Sequence, residues 1–344
     1  MKMRLKLLQD YLKQEKISAV YLTHYDINLQ YFTGFKPSYG FLEIKRDSAK
    51  LYLTTLDGKP KIPGVKIVQL DKNTLKKLKS KKSLKFGINK AKMNVDFYEK
   101  LKKIFSKAKF IDIGKELAKL RSIKDKQEIA LIRKACQITD YAFNELVKHI
   151  HKLKTEQGVA NFLESKIKEK NAELAFPTIV AMGKNSAVPH HITSGKKLGK
   201  GFLLLDFGAK FNGYCADMSR MLYLGKPSKQ ELKMYTLLLD LQQGALKMAK
   251  IGSKYADLDK YVRKGLGKYS SYFIHSLGHG IGLEVHEAPR LAPESKDEIV
   301  KNNVHTIEPG VYFPGKYGIR IEDTVCNGVR LTKSSKKLKI IKVR

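Results

Sequence analysis

Two strand-like runs flank Asn212-Gly213 in the segment Phe202-Leu-Leu-Leu-Asp206-Phe-Gly-Ala-Lys-Phe-Asn212-Gly213-Tyr-Cys-Ala-Asp217-Met-Ser-Arg220. Asn-Gly between alternating apolar runs is a strong signal for a two-residue β-hairpin turn. Asp206 and Asp217 then lie on opposite strands at nearly equal distance from the turn. Cross-strand neighbours carry Cβ atoms ~5–8 Å apart. Asp206 ends an apolar strand, where a carboxylate is costly unless a cation neutralises it. A metal ion would do so; the plainer alternative is one salt-bridged Asp and one turn Asp.

The same arrangement recurs downstream in Thr306-Ile-Glu308-Pro-Gly-Val-Tyr-Phe-Pro314-Gly315-Lys-Tyr-Gly-Ile-Arg320-Ile-Glu322-Asp-Thr324. Pro314-Gly315-Lys316 marks a turn, and Glu308 and Glu322 are each seven residues from Gly315. A hairpin brings these carboxylates together as well. Two hairpins, each with a carboxylate pair, suggest an internal pseudo-twofold design. Between them lies His275-Ser-Leu-Gly-His279-Gly-Ile-Gly-Leu-Glu-Val-His286-Glu-Ala-Pro-Arg290, with glycine on both sides of His279, as a crowded site requires. Pro189-His190-His191 supplies further imidazoles. A lone histidine is usually structural. Several histidines in glycine- and proline-rich segments beside four strand carboxylates point to a metal site. Four carboxylates and one imidazole form a hard, oxygen-rich donor set. It suits two divalent ions, Mn²⁺ foremost, with Co²⁺, Fe²⁺ or Zn²⁺ as alternatives. Their charges nearly cancel, and such a pair can activate water for hydrolysis.

Asp206, Asp217, His279, Glu308 and Glu322, in that order and local context, resemble the dinuclear metallopeptidases of the pita-bread fold, which include methionine aminopeptidase, Xaa-Pro aminopeptidase and prolidase. Tyr31-Phe-Thr-Gly34 and Leu120-Arg-Ser-Ile-Lys124 resemble the two-domain branch of that family. The resemblance implies an α+β chain. A mixed-sheet creatinase/prolidase-like domain over 1–120 would precede a catalytic domain over 121–344, built as a curved pseudo-twofold antiparallel sheet backed by helices. It implies that Asp206 chelates one metal, His279 and Glu308 the other, and that Asp217 and Glu322 bridge both. It assigns His190 and His286 to substrate and to the tetrahedral intermediate, and Glu308 to proton shuttling. It also implies a homodimer. The reaction expected is hydrolysis of the bond preceding proline by a hydroxide bridging two ions. Arg290 matches an arginine characteristic of prolidases. A guanidinium suits the free carboxylate of an Xaa-Pro dipeptide through a bidentate contact. Arg320 is a second substrate-binding candidate, less discriminating. The alternative is an Xaa-Pro aminopeptidase acting on longer peptides with proline second. A more distant one is a relative that binds nucleic acid or ribosomes, for which four costly carboxylates have no use.

Elsewhere, strands are expected over Ile17–Leu22 and Gly40–Leu53, and helices over Leu75–Lys82 and Asp96–Ala108. Tyr31–Gly34 reads as a strand end. A long helix spans about 114–150, with a capping box from Asp125 and Glu128. Further helices cover Glu156–Lys170, Lys229–Lys250 and Tyr255–Lys268. The domain boundary falls near Ile113–Ser122. The 344 residues suit two domains, and 42% hydrophobic residues suffice for real cores. No apolar run approaches the ~18–20 residues that span a bilayer. Three scattered cysteines, Cys136, Cys215 and Cys326, argue for a reduced, cytoplasmic protein. The formal net charge is +34, and 57 of the 67 basic residues are lysine. They are spread along the chain without interleaved aromatics, so no specific nucleic-acid or membrane partner is expected.

Overall fold

In a computed structural model the chain forms two compact units, Met1–Arg121 and Ser122–Arg344. The structure describes residues 2–80 and 82–342. The N-terminal unit is built on a six-stranded mixed sheet, ordered Lys66–Gln69, Ala49–Leu53, Gly40–Lys45, Ala19–Thr23, Lys85–Ile88 and Lys109–Asp112. Aromatic packing dominates one face: Tyr21, Phe41, Tyr52, Phe86 and Phe105 are all buried. The Phe41 and Tyr52 rings stack at 4.4 Å. Glu43 is buried among them, and the Tyr21 hydroxyl donates to it at 2.9 Å.

Several local expectations change. Gly40–Leu53 is an antiparallel hairpin of two strands, because the polar Arg46-Asp47-Ser48 interrupts the apolar alternation. Tyr31–Gly34 is the end of a helix, Ile27–Thr33, started by Asp26, whose side chain accepts from the Asn28 N–H. In the Leu75–Lys82 run the helix is Thr74–Lys77, and Lys81 lies outside the described residues. The helix expected over 114–150 is two, Gly114–Ser122 and Lys126–His149. Asp125 explains the break: it caps the second helix with an extended backbone, in a complete capping box with Glu128.

Beside a three-stranded and a two-stranded sheet, the C-terminal unit contains two larger ones. One runs Lys339–Ile341, Met218–Leu224, Gly201–Phe207, Ile179–Met182, and the other Glu287–Leu291, Gly278–Gly280, Val304–Ile307, Asp323–Cys326, Val329–Arg330. All pairings are antiparallel except that of Lys339–Ile341. This α+β unit has the pita-bread arrangement, with hairpins in sheets backed by helices.

The strand Gly201–Phe207 is covered on both faces. Leu203, Leu205 and Phe207 pack with Ile138, Phe143, Val159 and Leu163 of helices Lys126–His149 and Glu156–Lys168. Phe202 and Leu204 pack with Leu238, Leu241, Leu258 and Val262 of helices Lys229–Met248 and Tyr255–Leu266. Each such side chain contributes ~1.5–3 kcal/mol by leaving water. The two-residue alternation puts Asp206 on the face of Phe202 and Leu204, at the end of the strand where apolar cover stops. Among the described residues no helix is long and apolar enough to cross a membrane.

Candidate metal centre

Hairpin register sets the carboxylates. Asn212 and Gly213 both have positive φ, 47° and 86°, as a type I′ turn demands. Asp206 pairs with Ser219, so Asp217 is its diagonal neighbour, two residues back on the same face. In the second hairpin Ile307 faces Asp323 and Gly310 faces Arg320. The same register places Glu308 opposite Glu322, between the two ladders. His279 is centred in Gly278–Gly280. A Cβ on Gly278 would lie 2.2 Å from the Thr306 carbonyl oxygen, and one on Gly280 2.1 Å from that of Ala288. Only glycine admits these approaches, the first to the second hairpin and the other to the strand Glu287–Leu291.

The result is one cluster. Ligand atoms of Asp217, His279 and Glu322 lie within 4.8 Å of one another. His279 Nε2 is 3.2 Å from Glu308 Oε1 and 3.7 Å from Asp217 Oδ2. Asp206 joins the same cavity, its Oδ2 held by Arg320 Nη2 at 2.5 Å. Three carboxylate oxygens, Asp206 Oδ1, Asp217 Oδ1 and Glu322 Oε1, are buried without a hydrogen-bond partner. Buried anionic oxygens are costly unless a cation meets them, so this donor set fits divalent metal.

The electrostatics agree. Burial, and then the neighbouring carboxylates, hold Asp217 and Glu322 well above the usual carboxylate range. Burial pushes Glu308 up too, but the hydrogen bond and charge of His279 outweigh it and bring Glu308 to about 2. His279 is raised: burial opposes its charge, and Glu308 more than compensates. Protons and metal therefore compete for the same oxygens.

The remaining expected residues line the same cavity of about 830 Å³. The His286 ring meets that of His279 edge-on, centroids 4.3 Å apart. Burial and the His279 charge lower the His286 pKa. His190 is exposed on the cavity wall. Arg290 is exposed on the rim, its Nε donating to Ser276 Oγ at 2.8 Å and its Nη1 3.3 Å from Glu294. Arg320 lines this cavity too. It is buried, and its donors go to Ser219 Oγ, Tyr312 Oη and Asp206. Its guanidinium holds the Asp206 carboxylate in place.

Several supporting residues escaped the sequence reading. Ser219 Oγ donates to Glu322 Oε2 at 2.8 Å. Thr306 Oγ1 donates to Glu308 Oε1 at 3.2 Å and accepts the His279 N–H at 3.1 Å. Thr324 Oγ1 donates to the Asp217 carbonyl at 2.8 Å. A signal was present: Ser219, Thr306 and Thr324 each stand two residues from Asp217, Glu308 or Glu322, hence on the same strand face. Tyr312 links Arg320 to His275, its hydroxyl 2.9 Å from His275 Nε2. Nothing in the sequence spacing signals that pairing.

A carboxylate and imidazole site for divalent ions, set between paired hairpins, defines a class of metal-dependent hydrolase. The chain belongs to metallopeptidase family M24, which matches residues 130–326, while residues 4–123 match the creatinase/prolidase N-terminal domain. It is 36% identical over 352 residues to the Xaa-Pro dipeptidase of Pyrococcus furiosus, covering 98% of this chain and 100% of that protein. The prolidase structure of Pyrococcus horikoshii OT3 superimposes with a TM-score of 0.91 at 33% identity, covering 98% of this chain and 99% of that one. The X-Pro aminopeptidase structure of Thermotoga maritima superimposes with a TM-score of 0.84, also at 33% identity, covering 95% and 98%.

Proposed function

We propose that this chain hydrolyses the peptide bond preceding proline in Xaa-Pro dipeptides, with 1–120 as the N-terminal domain and 121–344 as the catalytic one. The observation that carries the reading is the set of orphaned buried carboxylate oxygens around His279, in a cavity that also presents His190, His286 and Arg290. The similarity to prolidases over nearly the whole chain supports it.

Asp206 would hold one ion, His279 and Glu308 the other, and Asp217 and Glu322 both. The hard donor set favours Mn²⁺, with Co²⁺, Fe²⁺ or Zn²⁺ as alternatives. Bound there, the pair supplies Lewis acidity, lowering the pKa of a water and polarising the scissile carbonyl. Glu308, ionised beside His279, takes the proton of the attacking water and returns it to the departing proline nitrogen. His286, kept neutral by burial and by the His279 charge, donates an N–H to the developing oxyanion. His190, which lines the same cavity, contacts the substrate. Arg290 meets the dipeptide's free carboxylate, exchanging its Glu294 contact for the substrate's anion. We also assign a homodimer in a reducing, cytoplasmic compartment, where the three buried cysteines stay unpaired.

A chelator should abolish Ala-Pro hydrolysis and Mn²⁺ or Co²⁺ restore it; full activity in metal-free protein overturns the proposal. Arg290 separates dipeptidase from aminopeptidase. Losing a charge-assisted bidentate contact costs about 2–4 kcal/mol, or roughly 30- to 1000-fold in kcat/KM. Arg290→Ala should impose that loss on Ala-Pro while largely sparing Ala-Pro-Ala. Arg290→Lys should recover part of it. An unchanged Ala-Pro rate, or a wild-type preference for the tripeptide, selects the aminopeptidase instead.

A further inference from the structure

His190 stands in the segment between the strands Ile179–Met182 and Gly201–Phe207. Its side chain is exposed, so its place depends on its chain neighbours. The Pro189 carbonyl accepts from Arg320 Nη1 at 3.4 Å, and four other positions of the segment converge on one buried group. Glu156, with no exposed surface, opens the helix Glu156–Lys168. Its Oε1 accepts from the Met182 N–H at 2.7 Å and from Asn185 Nδ2 at 2.8 Å. Its Oε2 accepts from His191 Nε2 at 3.0 Å, from Ser194 Oγ at 2.8 Å and from the Ser194 N–H at 3.3 Å. The donors come from positions 182, 185, 191 and 194, on both sides of His190. Backbone bonds tie the same helix start to the same segment: Glu156 N–H to the Lys196 carbonyl, and Gln157 N–H to that of Ser194, both at 2.9 Å.

Glu156 is not there to cap its helix. Thr155 does that, its hydroxyl accepting from the Gly158 N–H at 3.0 Å. The Glu156 carboxylate is turned away from its own helix and spent wholly on the segment. Burying a carboxylate is costly unless its lone pairs are filled, and here five donors fill them. The hydrogen bonds outweigh the burial that would raise its pKa, so it stays ionised. A hydrophobic residue would have served for packing alone. An anion gathering five donors sets a backbone path.

We propose that Glu156 is a positioning residue for His190, a buried anion that fixes residues 182–194 so that the His190 ring faces the carboxylate cluster. It acts through the segment, without touching substrate. The inference rests on the reading of His190 as a substrate contact.

The test is a double-mutant cycle. Glu156→Gln keeps the shape of the side chain but removes its charge and turns one acceptor into a donor. It should lower kcat for Ala-Pro by about 10- to 100-fold, the scale of a misplaced catalytic contact. Metal stoichiometry should be unchanged, and deuterium exchange should rise in residues 183–199. In a His190→Ala background the same change should cost under about 2-fold, because there is no ring left to place. If Glu156→Gln costs as much with His190 absent as with it present, Glu156 acts elsewhere and the proposal fails. It fails alone if Glu156→Gln has wild-type kcat while His190→Ala is crippled. A His190→Ala enzyme with wild-type rates refutes the reading of His190 itself. Asn185→Ala and Ser194→Ala each remove one donor and give the same cycle at smaller amplitude, should Glu156→Gln not fold.

Discussion

At the scale of single residues, the site is a balance of buried charge. Asp217 sits within ligand distance of His279 and Glu322 and has one oxygen without a partner. Asp217→Asn removes the charge that would serve both ions. It should weaken metal binding, read by calorimetry, and lower kcat/KM by more than the ~10- to 100-fold typical of outer-shell changes. Asp297→Asn, at an exposed position, should change neither. Equal activity in the two variants would rule out Asp217 as a ligand. His305 is a different case. It is fully buried with neither ring nitrogen hydrogen-bonded. Burial, and then the charges of Lys124 and His279, lower its pKa to about 3. The unfolded chain protonates this imidazole near pH ~6.5, but the folded protein does not. Its contribution to stability is therefore complete above that pH and is lost as pH falls toward about 3. His305→Leu removes this sensitivity. Between pH 7 and 5 wild type should lose about 2 kcal/mol more stability than the variant, measured by urea unfolding. Parallel pH profiles would show that His305 titrates normally.

Among the elements, the two hairpins do most to assemble the site, and they were legible for a local reason. Turn chemistry acts over two or three residues, and the register then propagates by the two-residue period of the strands. Gly213 has φ 86°, where an L side chain is strained. Gly213→Ala should destabilise the protein by ~1–2 kcal/mol. It should also loosen the pairing of Lys210 with Cys215 before it disturbs that of Asp206 with Ser219. Amide exchange along this hairpin would read the order, and uniform loss of protection would contradict it. The capping box at Asp125 was legible, although the helix expected around it ran on through the break it marks, and the helix start at Asp26 was passed over. Asp26 starts a helix that turns Tyr31 and Phe32 into its buried face, although aromatic residues before glycine also suit a strand end.

For the whole molecule, the +34 charge is the largest long-range feature. Some buried acids pair with buried arginines, as Asp206 does with Arg320 and Asp323 with Arg220. The lysine excess is spread along the chain and confers a diffuse field. Binding to RNA should therefore be weak and sequence-blind. Fluorescence anisotropy with two unrelated 20-mers should give equal affinities that fall by at least ~10-fold between 50 and 200 mM salt. Nanomolar, sequence-selective binding at ~150 mM salt would overturn this and favour a binding role.

The sequence by itself determined the five candidate ligands, their order and the two hairpins that pair their carboxylates. Each depends on chemistry within about fifteen residues of a turn. It also carried the family, because those motifs recur together. Tertiary structure alone decided the long-range pairings around the site. Arg320 meets Asp206 across 114 positions, Ser219 meets Glu322 across 103, and Glu156 meets Ser194 across 38. Local spacing carries no trace of such pairings, because they exist only once separate strands and helices have packed. For that reason the pairing of Arg320 with Asp206 could not be read from the sequence.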